Sequence, residues 1–134
     1  MTKTEAVIRS ILGTARPDIR PLAHAVDIAI DLMFIQKIPM DDIYVTDDIY
    51  PNVAKLVTNR RGKSSTAKAV SRRIERLANL CWDTLVARNL VQEYLGASLQ
   101  TIRAPRDMIF YLAFYIHLDT PFFIAIHNQP ALLF

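Results

Sequence analysis

One segment, residues 64–82, constrains the fold of this chain more than any other. It reads SSTAKAVSRRIERLANLCW, and at about 100° per residue its apolar and basic side chains separate onto opposite sides of a helix. The apolar side holds Ala67, Val70, Ile74, Leu77, Ala78, Cys81 and, just beyond the segment, Leu85. The other side holds Lys68, Arg72, Arg76 and Asn79. The segment therefore predicts a long amphipathic helix with one side in a core and one side exposed and cationic.

The start of this predicted helix has the charge of an anion-binding site. Ser65 or Thr66 can cap the first turn, but that turn contains Lys68 and no carboxylate. A cation near the positive end of the helix dipole is unfavourable, so stability alone would favour Asp or Glu there. A phosphate group suits such an end, because unpaired backbone N–H groups and added cations converge on it. We therefore interpret the segment as a helix that lies against nucleic acid.

The remaining pattern is typical of an all-α domain. The 134 residues include only three glycines and 51% apolar residues, and no long window alternates β-branched with polar residues. A chain of this length buries a core without disulfides or metal, so residues 1–134 are predicted to form one domain. Helical spacing predicts further helices at 4–12, 22–34 and 107–118, and short ones near Pro51 and before Gly96.

Charge is distributed unevenly along the chain. The net charge is +3, but residues 55–76 contain eight basic side chains and one acid, a local charge of +7 that leaves −4 for the rest. Such a local basic patch is typical of a surface that binds nucleic acid. The alternative interpretation is a solvated basic surface without a partner. The acids concentrate just before this segment, where helix capping is a better interpretation than acid/base catalysis. They are Asp41, Asp42, Asp47 and Asp48.

Two neighbouring predicted helices have the order of a helix-turn-helix. Pro51 suits the first turn of a short helix whose apolar stripe is Val53, Ala54 and Val57. The polar turn TNRRGKSS joins this helix to the amphipathic one. Its last residues resemble the end of a phosphate-binding P-loop, but Val57 stands where the first glycine would be and no strand precedes it. We therefore expect a basic turn that contacts phosphates, a solvated loop being the alternative.

No catalytic, metal or cofactor site is predicted. The spacing of His24, Asp27 and Asp31 could hold a metal, but no second helix offers a matching cluster, so a solvated stripe is the better interpretation. Cys81 lies on the apolar side of its helix and is predicted to be a core residue. Because the chain has no nucleophile motif and its histidines are isolated, it is not predicted to be an enzyme.

The two ends of the chain bear on its location and its partners. The first residues, MTKTEAVIRS, read as an amphipathic helix and not as a signal peptide, and the apolar run 108–116 is too short to cross a bilayer. A single cysteine fits a reducing compartment, so the chain is predicted to be cytoplasmic without membrane contact. The apolar tail 120–134 is expected to pack on the domain or on a second copy, which makes it the candidate contact for a homodimer or for tandem copies on DNA.

Two runs of residues around the predicted turn stand in a familiar order. The first helix carries Tyr50, Pro51, Asn52, Val53, Ala54 and Lys55. The second carries, in register, Thr66, Ala67, Val70, Arg72, Ile74 and Trp82. In both runs the chain resembles the C-terminal DNA-binding effector domain of the stage-zero sporulation response regulator family of endospore-forming bacteria. The resemblance extends through residues 11–32 and, more weakly, 104–118, so it covers nearly the whole chain.

The resemblance implies an all-α, compact bundle of about six helices that contains a helix-turn-helix, with a recognition helix over residues 65–82 in the major groove of duplex DNA. In that family an arginine of the recognition helix hydrogen-bonds to a guanine edge, and Arg72 occupies the matching position. Ala69 and Ser71 stand where the family has an arginine and a glutamate, and the turn is several residues longer, so a different base sequence is expected. The family's receiver domain finds no match here, which implies an effector domain that stands alone or belongs to a longer chain.

The leading hypothesis is a sequence-specific transcription regulator of bacterial origin that binds double-stranded DNA. Base edges are predicted to be read by Arg72, Ser71 and Lys68. Phosphates are predicted to bind Arg60, Arg61, Lys63, Ser65, Thr66, Arg73 and Arg76. The alternative is a degenerate helix-turn-helix module that has lost base reading and binds another regulator through its apolar C-terminal surface.

Overall fold

Helices account for the regular structure of the chain. The computed structural model describes residues 1–14, 17–58, 62–63, 65–102 and 104–134. In these ranges there is no β-strand, and seven α-helices, α1 to α7, are formed by Lys3–Leu12, Arg20–Ile30, Tyr50–Leu56, Ala67–Ala87, Val91–Leu95, Asp107–Leu118 and Phe122–Asn128. The predicted all-α class, a bundle of about six helices, is confirmed. The additional helix is α7, within the segment that we expected only to be an apolar tail.

Local signals explain where the helices begin and end. The Thr2 hydroxyl accepts a hydrogen bond from the Glu5 N–H, at 3.1 Å, and so caps α1. Gly13 and Gly96 end α1 and α5 with positive φ values of 82° and 83°. The helix that starts with α2 continues through a π-helical turn at Asp31–Ile35, so it covers the predicted range.

The helices share one hydrophobic core, in which α2 and α6 pack against each other and α4 packs against both. α6 is apolar on nearly every side, and a helix of this kind is expected to be buried. That expectation is confirmed, because seven of its residues are buried: Met108, Ile109, Phe110, Leu112, Ala113, Phe114 and Ile116. Within the described ranges no single helix is long and apolar enough to cross a membrane, and only α6 and α7 taken together, bent by 70°, reach that length and composition.

The apolar tail packs on its own chain over most of its length. Phe122 and Ala125 of α7 are buried, and the Leu133 carbonyl accepts a hydrogen bond from the Asp41 N–H at 2.9 Å. Ile124 and Phe134 stay exposed, with 46% and 75% of their surface accessible. Packing on the domain, one of the two alternatives for the tail, therefore accounts for most of its apolar side chains.

Gly96→Ala is expected to destabilise the fold by more than about 2 kcal/mol. The left-handed conformation of Gly96 costs other residues about 1–2 kcal/mol, and a Cβ there would also lie 3.1 Å from the side chains of Ile124 and Pro121. Urea unfolding of the variant measures the loss. A loss of no more than about 2 kcal/mol would mean that the contact of Gly96 with α7 carries no weight.

Candidate nucleic-acid interface

Helix α4 is held in the fold by its apolar side, as the periodicity predicts. Its buried residues are Val70, Ile74, Leu77, Ala78, Cys81, Trp82 and Leu85, while Ala67 is only half-buried. At the other end of α4, Arg88 donates hydrogen bonds to the carbonyls of Ser10 and Ile11, at 3.1 and 3.0 Å. These carbonyls belong to the last turn of α1, where a cation is favoured by the helix dipole.

Helix α3 packs against α4 and orients its first half. The apolar stripe of α3 is buried, as predicted: Val53, Ala54 and, just after the helix, Val57. The Tyr50 hydroxyl donates a hydrogen bond to the Glu75 carboxylate at 3.0 Å. Burial, and then the negative charge of Glu75, raises the pKa of the Tyr50 phenol, so it stays a donor. The Ser65 N–H donates to the Val57 carbonyl at 3.4 Å, which brings the two ends of the connecting turn together.

The exposed side of α4 is cationic and uncovered by the chain's own acids. Lys68, Arg72, Arg76 and Asn79 are all exposed, as predicted. No carboxylate in the described part of the chain forms an ion pair or hydrogen bond with Lys68, Arg72 or Arg76, and this includes the four aspartates of residues 41–48. The first turn of α4 contains no acid. An unneutralised positive side is therefore presented to solvent.

Two hydroxyl groups that we predicted to contact DNA are used within the helix. The Thr66 side chain caps α4 by accepting a hydrogen bond from the Ala69 N–H at 3.1 Å, so of the two predicted caps it is Thr66 that acts. The Ser71 hydroxyl donates to the Lys68 carbonyl at 2.8 Å and is half-buried. Its proton is therefore engaged, and only its oxygen lone pairs remain for a base edge. Ser65 is half-buried as well.

The other predicted phosphate contacts fall in different surroundings. Arg60 and Arg61 lie outside the described residues, and Lys63 is exposed. Arg73 differs from its neighbours on α4, because its guanidinium lies 3.5 Å from the Asp18 carboxylate and only 34% of its side chain is accessible. It therefore faces the segment before α2 and not the open side of α4.

Asp18 and Arg20, which lie between the predicted helices 4–12 and 22–34, also belong to this surface. Arg20 donates from Nε and Nη2 to the two carboxylate oxygens of Asp18, both at 2.9 Å. These hydrogen bonds lower the pKa of the Asp18 carboxyl, because their effect outweighs the opposing effect of its partial burial. Beside this pair lies a groove of about 500 Å³, whose lining includes Arg76, Leu77, Leu80 and Asp83 of α4. The only sequence signal was the pair of charges that flank Ile19.

The described residues form no cluster of three or more His, Cys, Asp or Glu side chains suited to a metal ion. On α2, where we weighed a metal site, Asp27 instead accepts a hydrogen bond from the buried Thr4 hydroxyl. Cys81 is fully buried, as predicted, and burial raises the pKa of its thiol to about 12, so the thiol stays protonated.

The chemistry available on α4 is charge neutralisation and hydrogen-bond donation. Arginine and lysine side chains spaced three to four residues apart on one side of a helix suit the oxyanions of a polyanion. Comparisons of the chain with protein-family models, with curated proteins and with solved structures gave no match.

Proposed function

We propose that this chain binds duplex DNA in a sequence-specific manner and regulates transcription. One observation carries the proposal: Lys68, Arg72 and Arg76 lie exposed on one side of α4 without a carboxylate partner among the described residues. Helix α4 is about 30 Å long at about 1.5 Å per residue, and the major groove of B-DNA admits an α-helix. In this proposal α3 and α4 form the helix-turn-helix, and α4 is the recognition helix.

Each side chain then has a role set by its position. Arg72, at the middle of the exposed side, reads a guanine through its two parallel donors. Ser71 accepts a hydrogen bond from a base through its remaining lone pairs, and Lys68 reaches a base or a phosphate near the start of α4. Arg76 and the basic turn contact phosphates and set the register. The resemblance to the sporulation regulator family supports this assignment. We propose on the same ground that the protein is bacterial and cytoplasmic.

Affinity for an extended site would come from more than one copy. A single recognition helix contacts only a few base pairs, and helix-turn-helix proteins bind half-sites about one helical turn apart as dimers or paired copies. The exposed side chains of the tail, Ile124 and Phe134, are our candidates for that contact. Most of the tail is used inside the domain, so the contact area they offer is small.

A protein-interaction module remains the second candidate function. Ala69 contributes no donor, the Ser71 hydroxyl is bonded within the helix, and two apolar side chains on the second half of α4 are exposed, Leu80 at 40% and Val86 at 46%. These features suit a protein partner better than a base edge. A titration with duplex DNA separates the two functions, because a protein-interaction module has little duplex affinity and little salt dependence.

Lys68→Ala and Arg76→Ala are expected to weaken binding to random duplex and to flatten its salt dependence. Each phosphate contact that is lost lowers the slope of log K against log salt by about 0.9. Fluorescence anisotropy at several salt concentrations measures both quantities. Lys3→Ala is the matched control, since Lys3 lies outside α4 and is paired with Asp119 at 3.0 Å. If all three variants behaved like the unmodified chain, the exposed side of α4 would not be the DNA contact.

A further inference from the structure

The carboxylate of Asp18 is surrounded by donors from two helices. Besides the two bonds from the Arg20 side chain at 2.9 Å, it accepts the backbone N–H of Arg20 at 3.1 Å. The guanidinium of Arg73, on α4, lies 3.5 Å from the same group. Forked guanidinium donors and a backbone N–H at a helix start are the donors that proteins use to bind phosphate. A small oxyanion of the chain itself therefore occupies a site with the composition of a phosphate site.

This site lies next to the surface that we propose for DNA. A small cavity of about 80 Å³ adjoins Asp18, and Arg20, His24, Thr58 and Arg73 line it. Thr58 is the first residue of the connecting turn, whose ends meet through the hydrogen bond from Ser65 to Val57. Arg73 follows Arg72 directly on α4. The start of α2 is thus placed between the base of the basic turn and the first half of α4.

The two arginines hold Asp18 unequally. Arg20 makes a fork with two short bonds, whereas Arg73 makes one long contact and has a third of its side chain accessible. Asp18 keeps all its bonds from Arg20 when Arg73 moves away, so releasing Arg73 leaves no unpaired charge behind. A partly exposed ion pair of this kind is weak, and a phosphate can compete for it.

We propose that the Arg73 guanidinium binds a phosphate of the DNA backbone, and that the Asp18 carboxylate, held in place by Arg20, occupies this site in the free protein. The inference rests on the proposed DNA binding and adds to it a competing carboxylate just before α2. When duplex binds, a phosphate takes the Arg73 guanidinium from Asp18, and Arg20 stays with the carboxylate. Asp18 therefore acts as an internal competitor that lowers the affinity for any duplex, whatever its sequence.

Asp18→Asn is the test, because the amide keeps the size of the side chain and removes its charge. We expect the variant to bind random duplex about two- to five-fold more tightly, with a salt slope steeper by about 0.9. Both gains should disappear in Asp18→Asn/Arg73→Gln, since Arg73 is then unable to make the contact. Asp119→Asn is the matched control: it changes the net charge equally and frees Lys3 from its 3.0 Å ion pair, and both residues lie outside α4 and the segment before α2.

The outcomes separate this inference from the function on which it rests. If the unmodified chain binds duplex with the expected salt dependence and Asp18→Asn behaves like Asp119→Asn, the phosphate site is refuted and DNA binding stands. If the unmodified chain has no duplex affinity, both are refuted. A last comparison uses thermal unfolding in inorganic phosphate and in chloride at equal ionic strength. Phosphate-specific stabilisation that Arg73→Gln abolishes, together with equal duplex affinities of Asp18→Asn and Asp119→Asn, would assign the site to free phosphate and overturn its assignment to DNA.

Discussion

Arg72→Ala is expected to remove most of the discrimination at one base pair of the DNA site. The variant should therefore lose much of the preference for a selected site over random duplex. A guanidinium forked onto a guanine contributes about 1–3 kcal/mol of discrimination, so its removal should lower the affinity ratio roughly 5- to 150-fold. Arg72 is exposed near the middle of the first half of α4, with no carboxylate partner in the described part of the chain. Selection of bound duplexes from a random library provides the site, and competition titration then measures the ratio.

The matched control for this prediction is Arg72→Lys. Lysine keeps the positive charge and loses the planar fork, so it should keep most of the affinity for random duplex and still lose discrimination. Lys68→Ala should instead weaken the selected site and random duplex by a similar factor if Lys68 contacts phosphate, and unequally if it reads a base. If Arg72→Ala weakened every sequence equally, Arg72 would be a phosphate contact and not a base reader.

Phe114→Ala is expected to be the most destabilising single substitution that we propose, with a loss of about 3–5 kcal/mol. Phe114 is fully buried in α6 and meets the rings of Phe34 and Phe122 edge-on, with centroids 5.5 and 4.9 Å away. Truncation to Ala would leave a cavity where α6 contacts the turn after α2 and the start of α7. Urea denaturation monitored by the circular dichroism of the helices gives the free energy of unfolding.

Phe134→Ala is the control for Phe114→Ala because it makes the same chemical change at a site that is 75% exposed. A surface substitution of this kind should change stability by less than about 0.5 kcal/mol. A loss below about 1 kcal/mol for Phe114→Ala would mean that the contact of α7 with α6 does not contribute to the core. If Phe134→Ala changed the size measured by gel filtration while stability stayed constant, the exposed end of the tail would be the contact between copies.

The helices could be predicted because their signals are local. The 3.6-residue spacing from Val70 to Leu85 identified the buried side of α4, and Thr66 supplied its cap within three residues of the N–H it bonds. Gly96 ended α5 because a left-handed residue is required there. The prediction for α7 was incomplete: its apolar composition indicated burial, but without polar positions at regular spacing it did not indicate a helix.

The surroundings of the candidate site depend on contacts that no local pattern contains. Asp18 and Arg73 are 55 positions apart, and Tyr50 and Glu75 are 25 positions apart. In the sequence Arg73 was predicted to bind phosphate like Arg76, and only the packing of the segment before α2 against α4 showed that it lies against Asp18. The roles of Arg60 and Arg61 stay predictions, because these residues lie outside the described part of the chain.

The order of side chains along the chain was sufficient to predict the all-α class, the apolar side of α4 and the positive charge of its other side. Each of these depends on interactions between residues three to four positions apart, which a helix brings together whatever else the chain does. Tertiary packing decided that Arg72 and Arg76 have no carboxylate partner in the described part of the chain and that Arg73 pairs with Asp18. These outcomes depend on which distant acids come within about 3 Å of a guanidinium, and only the folding of the whole chain sets those distances.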